Sequence, residues 1–187
     1  MTGHRSGEAD PDREEIFDEI AAGAAAESPL WDAALRPPGE RELDPVFSPL
    51  VEDRRFALGV ETIYEGYLLH YGRSRLFAPP DDDVGLLLGD ALLAHGLVLI
   101  AETGEVTAVA DLAALLSLCA QARADGRDGD GVAWAATAAC LGRGGLDEAR
   151  SELREEGASA PLERLARERA GGEAVDRALA AHADRLR

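Results

Sequence analysis

The chain contains no lysine: all 19 basic residues are arginine, set against 36 aspartates and glutamates. The resulting formal net charge of -17 repels phosphate backbones and anionic lipid surfaces, so neither nucleic-acid binding nor electrostatic attachment to a membrane is expected. The charge fits solubility and the residue bias of a GC-rich genome, and it is compatible with a basic protein partner or growth in high salt.

Aromatic residues are also scarce, at 5%, and isoleucine, threonine and tyrosine are few, so β-propensity is low throughout. The only cysteines, Cys119 and Cys140, have no CxxC spacing and sit among alanine and leucine. A free cysteine in that setting behaves as a small hydrophobe, and neither a disulfide framework nor a zinc site is expected. No glycine-rich phosphate loop, Ser/His/Asp set or Cys/His pair stands in the context its chemistry requires. Residues 1–12 are polar and acidic without an apolar core, which reads as no secretory signal and a cytoplasmic protein.

What is abundant is alanine, leucine, glutamate and arginine, all good helix formers, within a hydrophobic content of 46%. The fold class read from this is all-α, a helical bundle. The expected organisation is a disordered arm at 1–10, an N-terminal helix and proline-rich connector at 11–50, and a bundle domain at 51–187.

The punctuation along the chain sharpens this. Asp10 and Pro11 suit an N-cap and first helical position, with Ile16, Phe17, Ile20, Ala21 and Ala24 on one face. Five prolines between 29 and 49 interrupt any long helix, leaving Leu30, Trp31, Val46 and Phe47 as anchors for the connector. A helix ends at Gly72, the most apolar one runs over 84–101, and a fourth over 105–124 is expected to bury Val106, Val109, Leu112, Ala113, Leu116 and Ala120. The 84–101 run carries Asp90 and is marginal for a membrane span; it reads as the central helix of a soluble bundle, without membrane insertion. A short alanine-rich helix at 132–141 and two or three tail helices with thin apolar stripes (146–156, 161–170 and 173–186) complete the pattern, and no strand alternation is present.

Candidate polar residues have a structural and a chemical reading each. Asp81, Asp82 and Asp83 follow Pro79-Pro80 and precede the apolar run, the place of an N-cap and an acidic first turn rather than a Mg²⁺ cluster. Asp90 in the apolar helix requires a donor, for which Arg73 or Arg75 is expected. His95 reads as a hydrogen-bonded core histidine. Glu61 and Glu65, one turn apart, read as a solvated face, and Tyr64, Tyr67 and Tyr71 as core.

The stretch "LLLGDALLAHGLVLIAETGE" at 86–105 resembles a helix of the trans-polyprenyl diphosphate synthases, with a Gly-Asp pair before alanine- and leucine-rich turns. His70-Tyr71-Gly72-Arg73-Ser74-Arg75 is similar to the segment that precedes it in that family, and "AVADLAALLSLCAQARADG" and "GVAWAATAACLG" to the helices that follow, with Gln121 matching a family glutamine. The likeness covers roughly residues 55–142. It implies a reduced isoprenoid-synthase-like bundle with ligand-binding positions at Tyr64, Tyr67, His70, Arg73, Arg75, Asp90, His95 and Gln121. The two DDxxD motifs that hold Mg²⁺ on the diphosphate in that family have no counterpart here: the first position holds "ETIYEGYLLHY". Without them the leaving diphosphate is uncompensated, so no catalytic residues, no metal ligands and no cofactor are expected, and the chain reads as leaning away from an enzyme.

Three functions compete on these grounds. The first is a non-catalytic relative of the synthases, acting as an accessory or regulatory subunit or binding an isoprenoid, with a protein partner or a homodimer. The second is an acidic helical interaction module of a larger assembly. The third is a divergent prenyltransferase using Glu61, Glu65 and Asp81–Asp83 as substitute metal ligands.

Overall fold

Proline and glycine place the element boundaries. The computed structural model describes residues 11–186 and holds nine α-helices among them: α1 (Pro11–Glu27), α2 (Pro29–Ala33), α3 (Ala57–Tyr71), α4 (Asp82–Glu102), α5 (Val106–Ala124), α6 (Asp130–Cys140), α7 (Asp147–Glu156), α8 (Ala160–Ala170) and α9 (Gly172–Arg185). The fold is all-α. Short 3-10 turns at Pro38–Glu40, Ser48–Leu50 and Arg54–Phe56 carry the connector, and Leu35 and Phe77 make a lone antiparallel bridge. The expected arm at 1–10 and the Asp10 cap lie outside the described residues.

Local chemistry explains the ends. Ser28 caps α2 by accepting from the Leu30 amide at 3.1 Å. Asp81 caps α4, its carboxylate accepting from Val84 N at 2.8 Å, with Asp82 and Asp83 in the acidic first turn. Gly157, at φ +73°, ends α7 in the left-handed conformation that glycine adopts without a Cβ penalty.

The centre of the bundle is α6, not the 84–101 helix. Every residue of α6 from Ala133 to Cys140 is buried, with Trp134 fully enclosed. Around it gather Phe47, Tyr64, Tyr67, Leu112, Leu115, Leu162 and Val175, from the connector, α3, α5, α8 and α9. A second cluster of Phe17, Ile20, Leu76, Phe77, Leu88 and Leu92 fastens α1 onto α4 and the loop after α3. Val46 and Phe47 anchor the connector as expected, whereas Leu30 is 43% exposed. The tail helices spend their thin stripes on the chain's own core: Leu162, Ala166, Val175 and Ala178 are all buried.

α3 and α4 pack backbone to backbone through glycines spaced seven residues apart on each. A Cβ on Gly66 would lie 2.8 Å from Gly89 O, and one on Gly96 would lie 2.9 Å from Gly59 O. No side chain fits between helices that close.

α5 departs from expectation. Its buried face is Ala108, Asp111, Leu112, Leu115, Leu118, Cys119 and Ala122, while Val106 is 80% exposed and Ala113 and Ala120 are exposed with it. Of the expected stripe only Leu112 is buried, and Val109 and Leu116 are half-buried. The helix is apolar on most of its circumference, so its sequence does not single out one face. Its polar Asp111 turns inward because Arg150 meets it there, at 3.2 Å.

Candidate functional site

The eight residues singled out by the sequence do not converge. Six of them separate into three places, while His95 and Gln121 lie apart, exposed on α4 and α5.

The first place is a buried charge knot on α3. Glu61 and Glu65 were expected on a solvated face, yet both are fully buried. Arg75, also fully buried, donates Nε to Glu65 Oε2 at 2.8 Å and Nη1 to Glu61 Oε2 at 2.6 Å. Glu61 Oε1 also accepts from the backbone amides of Val46, Phe47 and Ser48 at 3.0, 3.1 and 2.9 Å. Glu65 Oε1 accepts from Arg75 N and Leu76 N at 2.8 and 2.9 Å and from the Ser74 hydroxyl. The Arg75 guanidinium lies over the rings of Phe17 and Tyr64, 4.7 and 5.1 Å from their centroids. Burial alone would lower the Arg75 pKa, but the two glutamates outweigh it and the net shift is upward. Each of the four carboxylate oxygens has a donor, so this is a structural lock and not free ligand for Mg²⁺.

The second place joins Tyr64 and Tyr67 to residues that sequence reading did not single out. The Tyr67 hydroxyl donates to Asp130 Oδ2, which Arg123 also contacts, and Arg123 Nε donates to the Tyr67 oxygen at 3.2 Å. Tyr64 Oη stands 3.0 Å from His182 Nδ1, and His182 Nε2 stands 3.5 Å from Asp130 Oδ2. The His182 ring thus bridges the two, Nδ1 toward the tyrosine and Nε2 toward the carboxylate. Gly131 makes room for that ring, since a Cβ there would meet His182 Cδ2 at 2.8 Å. The relay links α3, α5, α6 and α9, and its edge opens on a recess of about 410 Å³ lined by Arg123, Asp130 and His182.

The electrostatics of this relay favour proton-donating hydroxyls over nucleophiles. Burial pushes both the Tyr64 and Tyr67 hydroxyls up from their ordinary pKa, so neither becomes phenolate near neutral pH. Burial likewise pushes up the Cys119 thiol. For Asp130 burial acts upward, but hydrogen bonding from His182 and Tyr67 and the charges of His182 and Arg123 prevail, holding the carboxyl well below its usual range.

The third place is a groove of about 700 Å³ at the junction of α3 and α4, lined by Arg36, Leu69, His70, Arg73, Phe77, Asp81 and Leu86 among others. Asp90 is not a buried acid paired with Arg73 or Arg75. Its side chain is 73% exposed and meets His70 Nε2 at 3.1 Å, because α4 turns that side of its helix to solvent. Arg73 pairs with Glu42, which Arg185 also holds at 2.7 Å. His95 is exposed rather than a core histidine, and Gln121 is exposed on α5. Among the described residues, no group of three His, Cys, Asp or Glu side chains stands ready to hold a metal ion.

A further surface feature, outside these three places, runs along α4 and α5. α4 and α5 are long and apolar enough to cross a membrane by length and composition, yet only 33% and 39% of their most apolar stretches are buried. The outward face of α4 shows Leu86, Leu87 and Val98 at 47%, 58% and 53% exposure. The outward face of α5 shows Val106, Ala110, Ala113, Ser117, Ala120 and Ala124, without a charged residue. Comparison of the chain with protein-family models, with curated proteins and with solved structures finds no match.

Proposed function

We propose that this chain is a docking module, an acidic helical bundle that assembles with protein through the exposed apolar side chains of α4 and α5. One observation carries this reading. A chain with a net charge of -17 leaves large apolar side chains of its two most apolar helices open to solvent, with Leu87 58%, Val98 53% and Val106 80% exposed. Large apolar side chains exposed in this way are characteristic of interaction sites when they cluster. The interior supports the same reading. Phe47, Tyr64 and Trp134 fill the centre with rings 4.9–5.3 Å apart, Phe47 stacked on Trp134 and edge-on to Tyr64, where an isoprenoid chain between the helices would need space.

The test is binding by two surface variants, Val98→Glu and Ala113→Glu, both at exposed positions. Each partner recovered with the native chain is purified and titrated against native and variant protein. Loss of binding in the variants with an unchanged circular dichroism spectrum supports the face; equal binding by native and variant chains refutes it.

A second reading, a non-catalytic prenyl-diphosphate-binding relative of the polyprenyl synthases, is supported by the groove at the α3–α4 junction. There His70 and Arg73, both inside the segment that resembles that family, line one space with Arg36 and the apolar Leu69, Phe77 and Leu86. Calorimetric titration with farnesyl diphosphate decides it: heat of binding that the Arg73→Ala variant loses supports a ligand site, and no heat at all removes it. A prenyltransferase using Glu61 and Glu65 has no support, since Arg75 and five backbone amides already occupy those carboxylates.

A further inference from the structure

We infer that the recess of about 410 Å³ at the start of α6 binds a small organic carboxylate, held between Arg123, Arg127 and His182; the site does not depend on the docking reading. The chain enters α6 through Gly129, which has φ +118° and no side chain to cap the helix. The positive end of the α6 dipole therefore opens on the recess, whose wall includes Gly129, Asp130 and Gly131. His182 supplies a second, independent observation. It is 4% exposed, and its Nε2 is enclosed without a hydrogen-bond partner. That nitrogen lies over the first turn of α6, where a Cβ on Gly131 would stand 3.4 Å from it. Asp130 Oδ2 faces it from 3.5 Å but is already held by Tyr67 and Arg123. An enclosed ring nitrogen left without a bond costs free energy that a ligand oxygen restores.

Charge and shape select the ligand. The wall holds two cations, Arg123 and Arg127, and two acids, Asp128 and Asp130. Both oxygens of Asp130 are engaged, Oδ2 as above and Oδ1 by Gly131 N at 2.9 Å. Asp128 is exposed, where water and salt screen its charge. Arg127 donates to the Arg154 carbonyl at 2.8 Å and stands 3.9 Å from Asp125, so its charge is only loosely matched. One further carboxylate suits that balance, whereas a doubly charged phosphate meets two acids. Val132, Leu179 and Leu186 complete the lining and give a short aliphatic body an apolar surface. The volume falls within the roughly 300–1,000 Å³ of small-molecule sites. Because Nε2 is enclosed, the ligand reaches it through a shift of Arg123, whose side chain is 31% exposed and holds the same Asp130 oxygen.

Titration of the full chain with hexanoate, acetate and inorganic phosphate at constant ionic strength tests the assignment, with calorimetry for affinity and NMR for the histidine rings. Hexanoate is expected to bind and to shift the His182 ring signals. Acetate, which lacks the apolar body, is expected to bind on the order of tenfold more weakly or worse. Arg127→Ala changes an exposed residue outside the Tyr64–His182–Asp130 relay and is expected to weaken hexanoate by about fivefold with an unchanged circular dichroism spectrum. Val132→Glu places an acid in the apolar lining and is expected to abolish binding. Arg177→Ala, exposed on α9 and outside this recess, is expected to leave it unchanged. The inference is overturned by no heat from hexanoate at about 20 mM, the weak end of measurable affinity. It is equally overturned by hexanoate binding that leaves the His182 ring unmoved, or by equal affinity in native, Arg127→Ala and Val132→Glu chains. Phosphate binding in preference to hexanoate overturns the carboxylate assignment.

Discussion

The inner side of α3 and the outer sides of α4 and α5 invert the usual assignment of polar and apolar residues. α3 buries an unbroken run from Gly59 to Leu68 that includes two glutamates, while its neighbours expose leucines and valines. The difference lies in partners, not polarity. Glu61 and Glu65 each find donors for their inward oxygens, so their desolvation is offset by charge-assisted hydrogen bonds. Leu87 and Val98 find no apolar surface within the described chain that covers them. Burial follows from what meets a side chain, and an unmet apolar side chain is as informative as an unmet charge.

The contrast breaks most severely at Arg75. Arg75→Met removes the shared counter-ion and leaves two carboxylates enclosed; we expect a loss of about 3–5 kcal/mol, the cost of breaking a buried pair from one side, read as a collapse of the denaturant midpoint. Gly66→Ala forces a methyl against the Gly89 carbonyl at 2.8 Å and is expected to cost about 1–3 kcal/mol through overpacking, seen as a lowered Tm. Asp130→Asn, in the relay, is expected to cost about 1–2 kcal/mol. It also carries a pH signature. The folded-state pKa of Asp130 is depressed, so its contribution is complete above the ordinary carboxylate range and is lost as pH falls through that range toward the folded value. The native chain therefore loses stability on acidification, and the asparagine variant loses less; urea titrations at pH 7 and pH 3.5 compare the two slopes. The smallest effect sharpens the other side of the comparison. Val106→Glu at an 80% exposed position is expected to change stability by less than about 0.5 kcal/mol, and a large loss on thermal denaturation would mean that this face is covered within the monomer.

Helix existence and boundaries were legible because the signals are local. Pro29, Gly72, Gly104 and Gly126 punctuate the chain, and Asp81 caps α4 as its position implied. Facing was legible only where apolar residues are large and polar ones fill the other side, as in α1, where Phe17, Ile20 and Ala24 are buried. In α5 alanine and leucine surround the axis, and the expected stripe came out mostly on the solvent side. The charge knot was hidden for another reason: Arg75 lies ten residues beyond Glu65 and across a turn, so helical spacing alone made the glutamates look solvated. The relay was further out of reach, since Tyr64 and His182 are 118 residues apart and no periodicity links them. His70 did end up beside Asp90 and shares a surface groove with Arg73, but no buried pair forms.

Because Glu61 reaches out to the amides of residues 46–48 and Arg75 to the Asp44 carbonyl at 3.2 Å, the proline-rich connector is riveted to the bundle by ions as well as by the buried Val46 and Phe47. A truncation placed at residue 51, where composition alone draws a border, would strip three donors from an enclosed carboxylate and is expected to destabilise the bundle.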